Sequence, residues 1–93
     1  MSPSESTVFI EGPGPLIACD VLGAGPRAPT LLFAHGNSSH RGLWRPVARR
    51  LLRELDVRVV LMDMRGHGDS GYAEPPAYNP ADHATDIDRV VRH

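Results

Sequence analysis

The 93-residue chain is 41% hydrophobic and 23% charged, which is the composition of an ordinary globular domain and allows one small core. Ten arginines and no lysines stand against eleven acidic residues spread along the chain, and the net charge of -1 excludes the basic surface typical of a nucleic-acid-binding protein. No apolar run approaches membrane-spanning length and the N-terminus lacks the regions of a signal peptide, so we expect a single cytoplasmic domain over residues 1–93 with no membrane partner.

The first third of the chain is predicted to form three strands. A polar tail over residues 1–6 precedes strands at residues 7–11 and 16–22, and a cluster of glycines and prolines between these strands predicts a hairpin. Residues 30–34 form a continuous apolar run, as expected for a strand with both faces covered. Cys19 is the only cysteine, so no intrachain disulfide is possible, and we expect a buried, reduced thiol.

A first helix is predicted over residues 43–55, where apolar residues recur at helical spacing. Pro46 lies in the first turn, where the missing amide costs no helical hydrogen bond. The predicted inner face comprises Leu43, Trp44, Val47, Ala48, Leu51, Leu52 and Leu55. A stripe of arginines spaced by four is interpreted as a solvated face, with an anionic partner as the alternative, and it comprises Arg41, Arg45, Arg49 and Arg53.

A strand and a second helix follow. Residues 57–62 are apolar and β-branched, so the strand, helix and strand over residues 30–62 have the length of a βαβ crossover and predict a parallel pair. Residues 63–78 are predicted to be a loop, after which Asn79 supplies an N-cap and Pro80 the first helical position. The predicted inward positions of this helix are Ile87, Val90 and Val91.

Two segments carry the chemistry. His35-Gly36-Asn37 follows the strand at residues 30–34, and Asp63-Met64-Arg65-Gly66-His67-Gly68-Asp69-Ser70-Gly71 follows the strand at residues 57–62. Both lie at carboxyl ends of predicted strands, where open α/β sheets bind ligands. In this order, with these elements between them, they resemble the front half of an α/β-hydrolase active site. The second segment is similar to the Asp-x-Arg-Gly-His-Gly-x-Ser loop of esterases, epoxide hydrolases, dehalogenases and cofactor-free haloperoxidases.

The resemblance implies a role for each segment. The backbone N–H of Asn37 would donate to the oxyanion hole from the loop begun by His35 and Gly36, with Gly36 permitting a sharp turn close to the substrate. Ser38 would line the substrate pocket. The second segment would support the active site through hydrogen bonds and glycine turns, contributed by Asp63, Arg65, Gly66, His67, Gly68 and Ser70. His67 is not assigned as the catalytic base, and no metal or other cofactor is expected.

The remaining catalytic groups are not found in the sequence. No Gly-x-Ser-x-Gly turn occurs, and Ser38 and Ser39 lack the strand-to-helix elbow that exposes a nucleophile. We therefore expect the N-terminal part of a hydrolase of small ester-like substrates, inactive alone, whose Ser-His-Asp/Glu triad lies beyond this chain. The helical pattern that runs to His93 without a stop signal favours such a truncation. The alternatives are an epoxide or haloalkane hydrolase with an Asp nucleophile, and a non-enzymatic binding module that retains the fold.

The resemblance also implies a mixed sheet with strand order 1-2-4-3, in which the strand at residues 30–34 is an apolar edge. Such an edge exposes unpaired backbone groups. We therefore expect self-association, or pairing with a separate C-terminal chain, through this strand.

Overall fold

The computed structural model describes residues 5–23, 25, 27–36 and 38–93. Its strands are β1 (Glu5–Ile10), β2 (Ile17–Gly23), β3 (Thr30–Ala34) and β4 (Arg58–Met62). They form one sheet in the order β1-β2-β4-β3, with β3 and β4 parallel and the other neighbouring pairs antiparallel. The α/β class, the hairpin and the 1-2-4-3 order are confirmed. Strand β1 begins two residues before the predicted start, within the segment that the sequence assigned to the polar tail.

Two α-helices accompany the sheet among the residues that the structure describes. Helix α1 (Arg45–Glu54) follows a 3-10 turn at Arg41–Trp44, so the predicted first turn of this helix is wound more tightly than the rest. Helix α2 (Pro80–Arg92) begins as predicted, and Asn79 and Asp82 form a reciprocal capping box at its N-terminus. In the described part of the chain neither helix is long and apolar enough to cross a membrane, and the cytoplasmic location stays a prediction.

The helices pack on opposite faces of the sheet, because successive residues of a strand point to opposite sides. Val59 and Leu61 of β4 lie in the core beneath α1, while Val60 and Met62 lie in the core that α2 covers. The Phe33 and Trp44 rings, with centroids 5.4 Å apart, extend the first of these cores. Cys19 is buried and free in the second core, as predicted.

The predicted inner faces of both helices are wider than the faces that are buried. Ala48 is fully buried and Leu52 packs on the core, whereas four predicted inward residues are exposed, namely Leu43, Val47, Leu55 and Val91. A stripe of apolar residues marks which side of a helix faces the sheet, but it does not give the width of the surface that becomes buried. Beside Val91, an apolar cavity of about 510 Å³ lies over the sheet, bordered by residues of all four strands.

Candidate functional site at the carboxyl ends of β3 and β4

The two predicted motifs meet in space because their strands are parallel neighbours. Ala34 of β3 pairs with Met62 of β4, so the loops that follow leave the sheet side by side. Between these loops and the start of α2 lies a cavity of about 430 Å³. Its lining residues are His35, Gly36, Met64, His67, Pro80, His83, Ala84 and Ile87.

In the loop after β3, Gly36 does not adopt a backbone conformation that only glycine allows. A Cβ placed there would have no atom within 4 Å, and Gly36 does not adopt a positive φ. The left-handed backbone conformation occurs instead at Ser38, with φ of 61°. His35 is buried, Gly36 and Ser38 are exposed, and Asn37, the predicted oxyanion donor, lies outside the described residues. Neither the backbone conformation nor the surrounding side chains require glycine at position 36, and the close approach of this backbone to a substrate stays a prediction.

Asp63 is the buried centre of the second loop. Its carboxylate accepts hydrogen bonds from the backbone N–H of Arg41 at 2.5 Å and of Asp69 at 2.9 Å, and from the guanidinium of Arg41. Burial by itself would raise the pKa of Asp63, but these hydrogen bonds and the adjacent positive charge outweigh it and hold the pKa below its ordinary value. The carboxylate is thus charged and ties the loop after β4 to the segment that precedes α1.

Glycines make room around this carboxylate. Gly68 has a φ of 52°, and a Cβ there would lie 2.3 Å from Oδ2 of Asp63. Gly66 has a φ of 76°, and a Cβ there would lie 2.9 Å from the ring of Tyr78. Both positions therefore require glycine for its conformation and for its size.

Two further side chains of the loop connect it to the rest of the fold. The hydroxyl of Ser70 donates to the carbonyl of Asp63 at 2.7 Å and accepts from the N–H of Ala18 at 2.9 Å. The guanidinium of Arg65 donates to both carboxylate oxygens of Asp86 in α2, at 2.6 and 2.9 Å. These hydrogen bonds, most of all with the Asp86 carboxylate, raise the pKa of Arg65. The loop is therefore held between β2 and α2.

The arginine stripe is not a solvated face at its N-terminal end, and that interpretation is wrong for two of its members. Arg41 and Arg45 both contact the carboxylate of buried Asp20 in β2, and Arg45 also pairs with Glu5. The sequence contains a signal for this arrangement that the spacing of the arginines does not reveal. Asp20 stands in an otherwise apolar strand, and a buried carboxylate requires a cationic or hydrogen-bonding partner.

The histidine rings of the site contact backbone groups. Across residues 5–23, 25, 27–36 and 38–93, no group of three or more His, Cys, Asp or Glu side chains is placed to hold a metal ion. The rings of His35 and His67 instead accept hydrogen bonds from backbone amides through their Nε2 atoms. In this arrangement neither Nε2 is free to take a proton from a nucleophile.

Comparison with known proteins agrees with this architecture. A family model described as alpha/beta hydrolase fold matches residues 29–93. Human protein phosphatase methylesterase 1 is 27% identical over 71 residues, which are 76% of this chain and 18% of that protein.

Solved structures give the same result over most of the chain. The thioesterase domain from the curacin biosynthetic pathway is similar with a TM-score of 0.83 and 30% identity, covering 96% of this chain and 33% of that one. The Cif epoxide hydrolase from Acinetobacter nosocomialis shares the fold, with a TM-score of 0.82 and 24% identity over 95% of this chain and 26% of its own. The present chain thus spans 18% of the methylesterase and about a third or less of these two structures. The chain belongs to the α/β-hydrolase fold family.

Proposed function

We propose that this chain supplies the oxyanion-hole side of a hydrolase that acts on small ester-like substrates. The observation that carries the proposal is the shared cavity of about 430 Å³ between the loop of His35 and Gly36 and the loop that follows β4. Ester hydrolysis builds negative charge on a carbonyl oxygen, and backbone N–H groups at a strand end are suited to stabilise it. In this proposal the N–H of Asn37 is one donor and Ser38 contacts the substrate.

In this proposal the nucleophile, the acid and the base of the reaction are residues outside this 93-residue chain. A Ser-His-Asp/Glu triad would complete the site, with the serine at a strand-to-helix turn whose own backbone provides the second donor. The methylesterase and the thioesterase domain support the class of ester-like substrates, since their names denote cleavage of an ester and of a thioester. Alone, this chain is proposed to be catalytically silent and to use no metal or other cofactor.

Two measurements test this assignment. The DNA beyond the codon for His93 should encode a Gly-x-Ser-x-Gly motif, in frame or in a neighbouring frame. A Gly-x-Asp-x-Gly motif there would replace the ester assignment by epoxide or haloalkane hydrolysis. The isolated chain should not hydrolyse short-chain aryl esters above the protein-free rate. Turnover that survives Ser38→Ala with Ser39→Ala but is lost on blocking another residue of this chain would overturn the proposal.

The role of Asn37 is tested in a protein that joins this chain to the proposed catalytic residues. Asn37→Pro removes the backbone N–H and should lower kcat by roughly a hundredfold or more, as loss of one oxyanion donor does in other hydrolases. Asn37→Ala is the matched control, because it changes the side chain and keeps the N–H. Equal kcat values for the two variants would contradict the assignment of the amide.

We also propose that the isolated chain self-associates through β3. Within the described residues β3 is hydrogen-bonded to β4 alone, and Leu31 on this strand is 37% exposed. An apolar edge with unpaired amides and carbonyls favours strand addition. Sedimentation should show dimers or larger species, which Leu31→Lys reduces and Phe9→Lys on the opposite edge strand does not. A stable monomer would contradict this proposal and favour a self-sufficient binding module.

A further inference from the structure

Two histidine rings lie between the two loops of the site. His35 follows β3 and His67 follows β4, and their ring centroids are 5.0 Å apart in an edge-to-face arrangement. Neither ring has a catalytic part in the chemistry proposed above, and the resemblance gives His67 only a general supporting role in its loop. The contacts of their ring nitrogens, however, cross from one loop to the other.

The contacts are reciprocal. The N–H of Met64, in the loop after β4, donates to Nε2 of His35 at 3.0 Å. The N–H of Ser38, in the loop after β3, donates to Nε2 of His67 at 3.2 Å. Each loop therefore provides one ring acceptor and one backbone donor to its neighbour.

These contacts determine where the ring protons lie. A backbone N–H can only donate to a nitrogen that carries a lone pair, so Nε2 is unprotonated in both rings. The proton then resides on Nδ1, which in His67 faces the carbonyl of Arg65 at 2.9 Å and in His35 that of Gly36 at 2.6 Å. Both nitrogens of each ring are thus satisfied by the same tautomer.

The bond from Ser38 matters because of the backbone conformation there. Ser38 has a φ of 61°, which is unfavourable for a residue with a Cβ and persists only where neighbouring contacts hold it. The backbone of His67 is itself held in place, because its N–H donates to the carbonyl of Met64 and its carbonyl accepts from the N–H of Ser70 within a tight turn. The ring therefore restrains the residue directly after Asn37.

We propose that His67 is a positioning residue for the oxyanion loop. Its Nε2 accepts the N–H of Ser38 and so restrains the backbone of the residue that directly follows the proposed oxyanion donor. This inference rests on the proposed function for its significance, whereas the contact itself is independent of any activity. A hydrolase that lost this contact would keep its fold and lose a restraint on Ser38, next to the proposed donor.

The test uses nuclear magnetic resonance on the 93-residue chain. In the unmodified chain, the ¹⁵N shifts of His67 should show an unprotonated Nε2 and a protonated Nδ1. His67→Phe keeps a ring of similar shape without the acceptor, and should speed hydrogen exchange at the Ser38 amide about fivefold, the factor typical for loss of one hydrogen bond. The Met64 amide, held by His35, should be unaffected and serves as the internal control.

His67→Gln provides the rescue, because its side-chain oxygen can reach the position of Nε2 and should restore slow exchange at Ser38. A Ser38 amide whose exchange is the same in the unmodified chain and in His67→Phe would overturn the proposal. If His67→Phe does not fold, the ¹⁵N shifts decide, and a protonated Nε2 in the unmodified chain would overturn it. None of these readouts depends on ester hydrolysis, so a failure here is distinguishable from a failure of the proposed function.

Discussion

Gly68 offers the sharpest test of how the second loop is built. Replacing it by alanine places a Cβ 2.3 Å from Oδ2 and 2.5 Å from Cγ of Asp63, distances that no adjustment of the alanine can relieve. The φ of 52° adds a cost of about 1–2 kcal/mol for a residue with a side chain. The carboxylate must move, and a weakened hydrogen bond to a charged group costs about 1.5–3 kcal/mol more.

We therefore expect Gly68→Ala to lower the free energy of unfolding by about 3 kcal/mol or more, a large part of the stability of a small domain. Urea denaturation followed by circular dichroism measures the change. Gly36→Ala is the matched control, since a Cβ at Gly36 meets no atom within 4 Å and no positive φ is required. This control should remain within about 1 kcal/mol of the unmodified chain.

A double-mutant cycle separates the clash from the backbone cost. In the Asp63→Ala background the carboxylate is gone, so Gly68→Ala should cost less there than in the unmodified chain. Equal unfolding midpoints for Gly68→Ala and Gly36→Ala would refute the reasoning, and so would strict additivity of the two substitutions.

Three further outcomes are expected. Asp86→Asn leaves the buried guanidinium of Arg65 without its charged partner and should cost roughly 3–5 kcal/mol in a urea melt, whereas Asp88→Asn, on the same helix but 58% exposed, should cost under about 1 kcal/mol; similar losses would contradict this. Because the folded pKa of Asp63 is depressed, its contribution to stability is complete above its unfolded pKa of about 4 and is lost as pH falls through the lower folded value. Asp63→Asn should therefore flatten the acid limb of a stability–pH profile, and an unchanged limb would argue against it. Burial raises the pKa of the Cys19 thiol to about 11, so a thiol reagent at pH 8 should label it only as urea unfolds the chain, and rapid native labelling would disagree.

The order of elements and the sheet were predictable because they depend on local patterns. The apolar runs that became β3 and β4, with an amphipathic segment between them, predict a crossover between parallel strands, and the two strands are parallel. The start of α2 was equally readable, since Asn79 and Pro80 act through contacts within one helical turn. The family resemblance supplied the strand order, which no local pattern contains.

The extent of burial was not predictable from periodicity. Leu43, Val47 and Val91 lie on the predicted inner faces yet remain exposed, because hydrophobic spacing gives the direction of a helix face and not the width of the surface that covers it.

The sequence alone determined which residues stand at the ends of β3 and β4. These positions depend only on the order of residues along the chain and on where each apolar run ends, not on distant contacts. Only the tertiary structure decided which of these residues touch. Arg41, assigned from spacing to a solvated stripe, lies between Asp20 and Asp63, and His67 accepts the amide of Ser38, 29 positions away. Such pairings bring together groups from different loops, and their partners depend on the packing of β2, β3 and β4 rather than on any repeat within the chain.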